Sequence, residues 1–299
     1  MMPPASYQPH EILVAPARPS RALWRLVLGF LLAGAAYLAL AQVFFQTAYS
    51  LAGGGGLAFF ERMMSGQSPA AMYLLLFSFG LMIVGVAMAL RVVHRRSLAG
   101  LLGPRALFVR QFGVVTVALL LLGVVILLLP PWGMGGELIP NLPFGRWFLL
   151  LPLSLLAVLV QVSAEEIVFR GYLQQQLAAR FNSPVIWMAV PSVVFAMGHY
   201  LPEAAGPNAL MVALWAGIFG MLMADLTARA GSLGPAIAAH FVNNITAILV
   251  VSLPDDLSGL SLYLTPFSMA DTEAMQSWLP VDFALMFVSW LAARLALRR

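Results

Sequence analysis

Two adjacent carboxylates, Glu165 and Glu166, stand in the otherwise apolar run VSAEEIVFRGYL from Val162 to Leu173, with Arg170 four residues after the second. His199 and His240 lie in comparably apolar stretches, and Asn244 follows His240 by four residues. An ionisable side chain in such surroundings costs roughly 3 kcal/mol or more inside a membrane, so it persists where it is paired, hydrated or used. A buried carboxylate within hydrogen-bond reach of a water can act as a general base, because burial raises its proton affinity toward neutrality. Two histidines and one carboxylate, here Glu165, His199 and His240, are also a ligand set for a hydrolytic zinc. The same groups would suit a proton relay in an ion-coupled carrier. Plainer roles compete: a packing histidine, a helical ion pair, and an interhelical hydrogen bond from Asn244.

The elements that hold these residues follow from composition. The chain has 299 residues, is 61% hydrophobic and 9% charged, and has a mean hydropathy of +0.90. Soluble domains carry about 25% charged residues. The fold class is therefore all-α, a polytopic membrane protein, because a membrane span of helix needs about 20 apolar residues. Eight such stretches are legible, roughly 23–49, 69–90, 112–129, 147–178, 184–200, 208–228, 233–253 and 281–297. All 16 basic residues are arginine, and fourteen fall in segments that an eight-span arrangement with both termini cytoplasmic places inside, against Arg62 and Arg146 outside. That asymmetry assigns the net charge of +4 to topology and not to nucleic acid. Cysteine is absent, which removes disulfide and thiol chemistry. Residues 1–20, rich in proline and polar groups and without the pattern of a cleavable signal, are expected to form a disordered cytoplasmic tail, and 21–299 a single membrane domain. No internal repeat of the kind that builds transporters is apparent, which weighs against the carrier reading.

Spacing then predicts which groups meet. The FNSPV stretch separates the fourth and fifth spans, and Glu165 precedes Asn182 by 17 residues while His199 follows it by 17. In an antiparallel pair with equal rise, the two side chains share a height, so Glu165 is expected to face His199. His240 and Asn244 share a face of the seventh span. They reach the same level if the fourth and fifth helices protrude about two turns beyond the membrane. Glu166 and Arg170, with the acid N-terminal, have the favourable order for an i, i+4 ion pair. The two glutamates thereby acquire different work, Glu166 paired and Glu165 free.

The stretches EEIVFRGYL (Glu165 to Leu173), FAMGH (Phe195 to His199) and HFVNN (His240 to Asn244) resemble the three motifs of the CPBP family of intramembrane proteases. That family includes the CAAX prenyl endopeptidases and bacterial immunity and bacteriocin-processing relatives. The resemblance covers about 95–250, the catalytic core it implies, and extends more weakly to the loop RRSLAGLLGPR from Arg95 to Arg105. It implies an eight-helix fold with a polar cavity, and hydrolysis of a peptide bond in a membrane-associated peptide or protein. Glu165 and His199 would activate a water, His240 and Asn244 would stabilise the oxyanion, and Glu166 and Arg170 would support the first motif. It favours a mechanism without metal or other cofactor over the zinc alternative, since HExxH is missing. A catalytically idle membrane scaffold is the remaining alternative. Arginine in place of lysine, with abundant alanine, glycine and leucine, suggests a bacterial source and a multi-pass location in the cell membrane.

Overall fold

The structure, a computed structural model, describes residues 5–53, 56–129, 136–255 and 257–298. Six helices are long and apolar enough to cross a membrane and two shorter apolar helices lie among them, so the chain is an all-α polytopic membrane protein. In chain order they are α1 (Leu23–Leu51), α2 (Pro69–His94), α3 (Arg105–Leu128), α4 (Phe144–Arg180), α5 (Pro184–Gly198), α6 (Ala209–Ala230), α7 (Gly234–Val250) and α8 (Thr272–Leu297). The starts obey local rules. Pro69 follows Ser68, whose Oγ accepts from the Ala71 amide, and Pro184 follows an extended Ser183. The Asp271 carboxylate accepts from the Ala274 amide at the head of α8. Gly231, with φ of 70°, ends α6 in the left-handed conformation that glycine adopts without steric cost.

Two features of these helices bear on the site. Helix α4 runs unbroken for 37 residues, about 55 Å, well beyond the roughly 30 Å of a hydrocarbon core. Its backbone switches to i→i+5 turns over Ile167–Leu173, immediately after the two glutamates. Helix α7 makes the same switch over Ile245–Val250, immediately after Asn244. Such π-turns insert an extra residue per turn and re-aim the side chains beside them, and they recur at functional sites. The second feature is length: α5 has 15 residues and α7 runs only from Gly234 to Val250, yet these are the helices that carry the histidines.

Packing explains the placement. Leucines, valines and phenylalanines of α1, α3 and the outer faces of α4 and α8 are exposed, as lipid-facing residues must be, while α6 is largely buried. Helix α5 lies against α6 at close range, because a Cβ on Gly220 would stand 3.0 Å from the Cβ of Ser192. Gly217, facing Ala196, lets the same pair approach. Trp147 donates from Nε1 to the Leu249 carbonyl at 2.7 Å and ties α4 to the end of α7. At that end three two-residue strands, β1 (Ile139–Pro140), β2 (Val251–Ser252) and β3 (Tyr263–Leu264), form a small sheet in the order β1-β3-β2.

The N-terminal segment departs from expectation. Residues 5–20 form three short helical turns with His10, Leu13, Val14, Ala17 and Ser20 buried, so the disorder read from composition does not hold there. Residues 1–4 of that segment, and Arg299 among the counted arginines, lie outside the described residues. The reason is a set of distant partners that composition does not register. The Tyr7 hydroxyl donates to Asp225 at 2.8 Å, and Asp225 also accepts from Arg229 and Trp290. The His10 ring packs on Trp187 at 4.7 Å, and Ser20 meets His94, which meets Tyr172.

Burial pushes the His10 imidazole down to about 3 from an ordinary 6.5. The folded value is the lower one, so the docked segment is fully stable above about pH 6.5 and loses stability as pH falls from there toward 3. The loss should reach about 2 kcal/mol at pH 5. Hydrogen exchange of residues 5–20 should accelerate accordingly between pH 7 and pH 5, after correction for the intrinsic rate, and His10→Leu should remove that acceleration.

Candidate active site

The i, i+4 pair on α4 is formed: Arg170 Nη1 donates to Glu166 Oε1 at 3.0 Å, with the two side chains 1% and 0% exposed. Arg170 Nη2 donates to the Gly220 carbonyl of α6 at 3.2 Å, and the guanidinium lies 4.9 Å from the centre of the Phe195 ring. A buried guanidinium is tolerated when a carboxylate, a carbonyl and an aromatic face surround it in this way.

Glu166 Oε1 receives a second donor. His240 Nδ1 lies 2.8 Å from it, while His240 Nε2 lies 3.5 Å from Glu165 Oε2. The imidazole thus bridges the two carboxylates, and the bond to Glu166 fixes the ring with Nδ1–H as donor. Contact between α7 and α4 at this point sets their relative depth. Arg180 lies 15 residues beyond Glu165, and Gly234 only six before His240, so α4 projects about 13 Å past the start of α7. Relative to α7, therefore, α4 has the extra length that brings His240 level with the glutamates.

His199 is placed differently from expectation. It sits at the C-terminal end of α5, and its Nδ1 donates to the Phe195 carbonyl one turn back, at 2.9 Å. Its ring packs on Phe195 at 4.4 Å, and Phe195 in turn stands 6.2 Å from the His240 ring at 87°. Among the described residues the imidazole in ion-pair range of Glu165 is that of His240 and not that of His199. The equal spacing about the α4–α5 turn fixes height, but the direction of a side chain around the helix depends on where the helix stops. Here α5 stops at Gly198, which turns the His199 ring back over its own last turn. Its Nε2 is left with a lone pair facing away from that bond.

Asn244 donates through Nδ2 to Gln161 Oε1 at 2.8 Å and accepts at Oδ1 from Asn243 Nδ2 at 3.1 Å. Gln161 and Asn243 are members that the sequence reading missed. Gln161 precedes Glu165 by four residues, so it shares the face of α4 that carries the carboxylate, and this spacing was the available signal. Phe219 closes the aromatic side, 4.9 Å from His240 and stacked on Trp215. Glu165 Oε2 and Glu166 Oε2 are buried without a hydrogen-bond partner among the described residues. The zinc alternative fits poorly. Glu165, His199 and His240 do not converge as ligands, both nitrogens of His240 face carboxylates, and no described group of three histidine, aspartate or glutamate side chains is arranged to hold a metal.

Fold and site together define an all-α membrane protein with a buried glutamate–histidine–arginine centre. Residues 146–246, about a third of the chain and the segment holding all three motifs, match the family described as Type II CAAX prenyl endopeptidase Rce1-like. Over that segment the resemblance read from the motifs is borne out. The chain is also 30% identical over 118 residues to a Bacillus subtilis (strain 168) protein called Uncharacterized protein YyaK, an alignment that spans 38% of each chain. No solved structure matches.

One consequence for the site is immediate. Gln161→Ala frees the Asn244 amide that Gln161 now orients, and under the function proposed below it should lower kcat about tenfold with little change in KM, as loss of one positioning hydrogen bond does. Steady-state cleavage kinetics of the two forms would show it.

Proposed function

We propose that this protein is an intramembrane endopeptidase of the cell membrane, with both termini cytoplasmic, acting on a membrane-associated peptide or protein without a metal. The observation that carries the reading is Glu165 Oε2, without a hydrogen-bond partner among the described residues and 3.5 Å from His240 Nε2, in a centre whose second carboxylate is already held by Arg170. Glu165 is then free to take a proton from a water, while the lone pair on His199 Nε2 accepts that water's other hydrogen. The water oxygen attacks the scissile carbonyl carbon. The resulting oxyanion accepts from His240 Nε2–H, the ring being doubly protonated between the two carboxylates with its Nδ1–H kept on Glu166, and from the second Nδ2 hydrogen of Asn244. Glu165 returns its proton to the departing amine nitrogen as the C–N bond breaks, so the carboxylate is regenerated. Glu166 and Arg170 hold His240 in register and are positioning residues.

The match to the Rce1-like model supports this reading, and so does the overlap of its span with every residue assigned a role. A membrane-embedded reporter peptide incubated with purified protein tests it. Wild type should cleave, His199→Ala should lose at least about a hundredfold in kcat, and phenanthroline should leave the rate unchanged. Equal cleavage by the variant would remove His199 from the mechanism, and inhibition by phenanthroline that zinc reverses would replace the metal-free scheme.

A further inference from the structure

A second feature lies at the arginine-rich end of α2. A cleft of about 360 Å³ opens there between the last turns of α2 and the loop that follows. Its wall is the apolar flank of α2, Val84, Ala87 and Met88, with Val84 and Met88 exposed. Arg91, Arg96 and Ser97 line its other side. The chain reverses at Arg95, which takes a left-handed φ of 54°, and the Arg96 amide closes the turn on the Leu90 carbonyl. A non-glycine residue in that conformation marks a turn held by its surroundings.

Arg96 is built into place. Its Nη2 donates to Gln175 Oε1 at 3.1 Å, and Gln175, fully buried on α4, is itself anchored through Nε2 to the Leu101 carbonyl at 2.8 Å. Its Nη1 is buried without a hydrogen-bond partner among the described residues. No described carboxylate lies in ion-pair range of Arg91, Arg95 or Arg96. Burial draws the Arg96 guanidinium down to about 10, so it remains a cation at neutral pH. A half-buried, uncompensated cation beside an apolar, lipid-facing wall is an arrangement that an amphiphilic anion completes.

We propose that the cleft binds the phosphate of an anionic phospholipid, with the phosphodiester between Arg91 and Arg96 and an acyl chain along Val84, Ala87 and Met88. Guanidinium groups match phosphate oxygens in geometry and charge, and the apolar flank distinguishes a lipid from a free anion.

The full chain, purified in neutral detergent, would be examined by native mass spectrometry with phosphatidylglycerol, phosphatidylcholine or inorganic phosphate. Phosphatidylglycerol should be retained about tenfold more tightly than phosphatidylcholine, and Arg96→Gln and the exposed Arg91→Gln should each remove that preference. Arg91→Gln keeps the Gln175 bond intact, so its loss of preference cannot be put down to misfolding of the loop. Equal retention of the two lipids by wild type, or an unchanged preference in both variants, would overturn the site. Inorganic phosphate that binds alone and displaces phosphatidylglycerol would overturn the lipid as its ligand.

Discussion

Glu165→Gln should abolish cleavage of a membrane-embedded reporter while leaving the protein folded. A general base contributes about a hundredfold to ten-thousandfold to a proton-transfer step, and the glutamine amide cannot accept the proton at any pH in the working range. The exchange is nearly isosteric. It should not unfold the bundle, because Glu165 bears no ion pair with arginine and its Oε2 has no hydrogen-bond partner among the described residues. Thermal unfolding within a few degrees of wild type, together with a kcat reduced by at least about three orders of magnitude, is the expected pair of results. Residual activity within tenfold of wild type would place the base elsewhere.

Arg170→Met should have the opposite signature, a large loss of stability. It strands the Glu166 carboxylate, 0% exposed, with His240 as its remaining partner. Removing one member of a buried pair costs about 3–5 kcal/mol, whereas replacing both with uncharged groups is close to neutral. Glu166→Gln combined with Arg170→Met should therefore recover most of the lost thermal stability. It should not recover cleavage, because the acceptor that orients His240 through Nδ1 is weakened. Unfolding midpoints and reporter kinetics for the single and double variants form the double-mutant cycle that separates the two effects. If the double variant is no more stable than Arg170→Met, the ion pair is not what holds α4 against α6.

Which of these groups could be read from sequence depends on what kind of information each needs. The spans were legible because apolar length is a local property, and the Glu166–Arg170 bond because both partners lie on one helix. His240 beside the glutamates required only depth, which the length of α4 supplies. Glu165 facing His199 required direction as well, and that turns on α5 ending at Gly198. The i→i+5 turns after Glu166 and Asn244 leave no mark in residue types, although they rotate every side chain beyond them. Gln161 was within reach by spacing, but a neutral amide attracts no notice beside two acids. The N-terminal segment was misread because its partners, Asp225 and Trp187, are about 200 residues away in the chain. Arg96 counted only toward the charge asymmetry, where its bond to Gln175 leaves no trace.

The brevity of α5 and α7 has a consequence for the bilayer itself. At 15 residues α5 spans about 22 Å, some 8 Å short of the hydrocarbon core. Such a mismatch is relieved by elastic compression of the surrounding lipid, which draws headgroups and water toward the shortened helices. His199 stands at the end of α5 and His240 on α7, so a bilayer thinned to match these helices would bring solvent closer to the depth of Glu165. Under the proposed function, a helical substrate entering such a thinned zone would meet water before leaving the membrane, and its backbone amides would exchange internal hydrogen bonds for solvent there. On that reading, exposure of a peptide bond to hydrolysis would be a property of the protein and its annular lipid together.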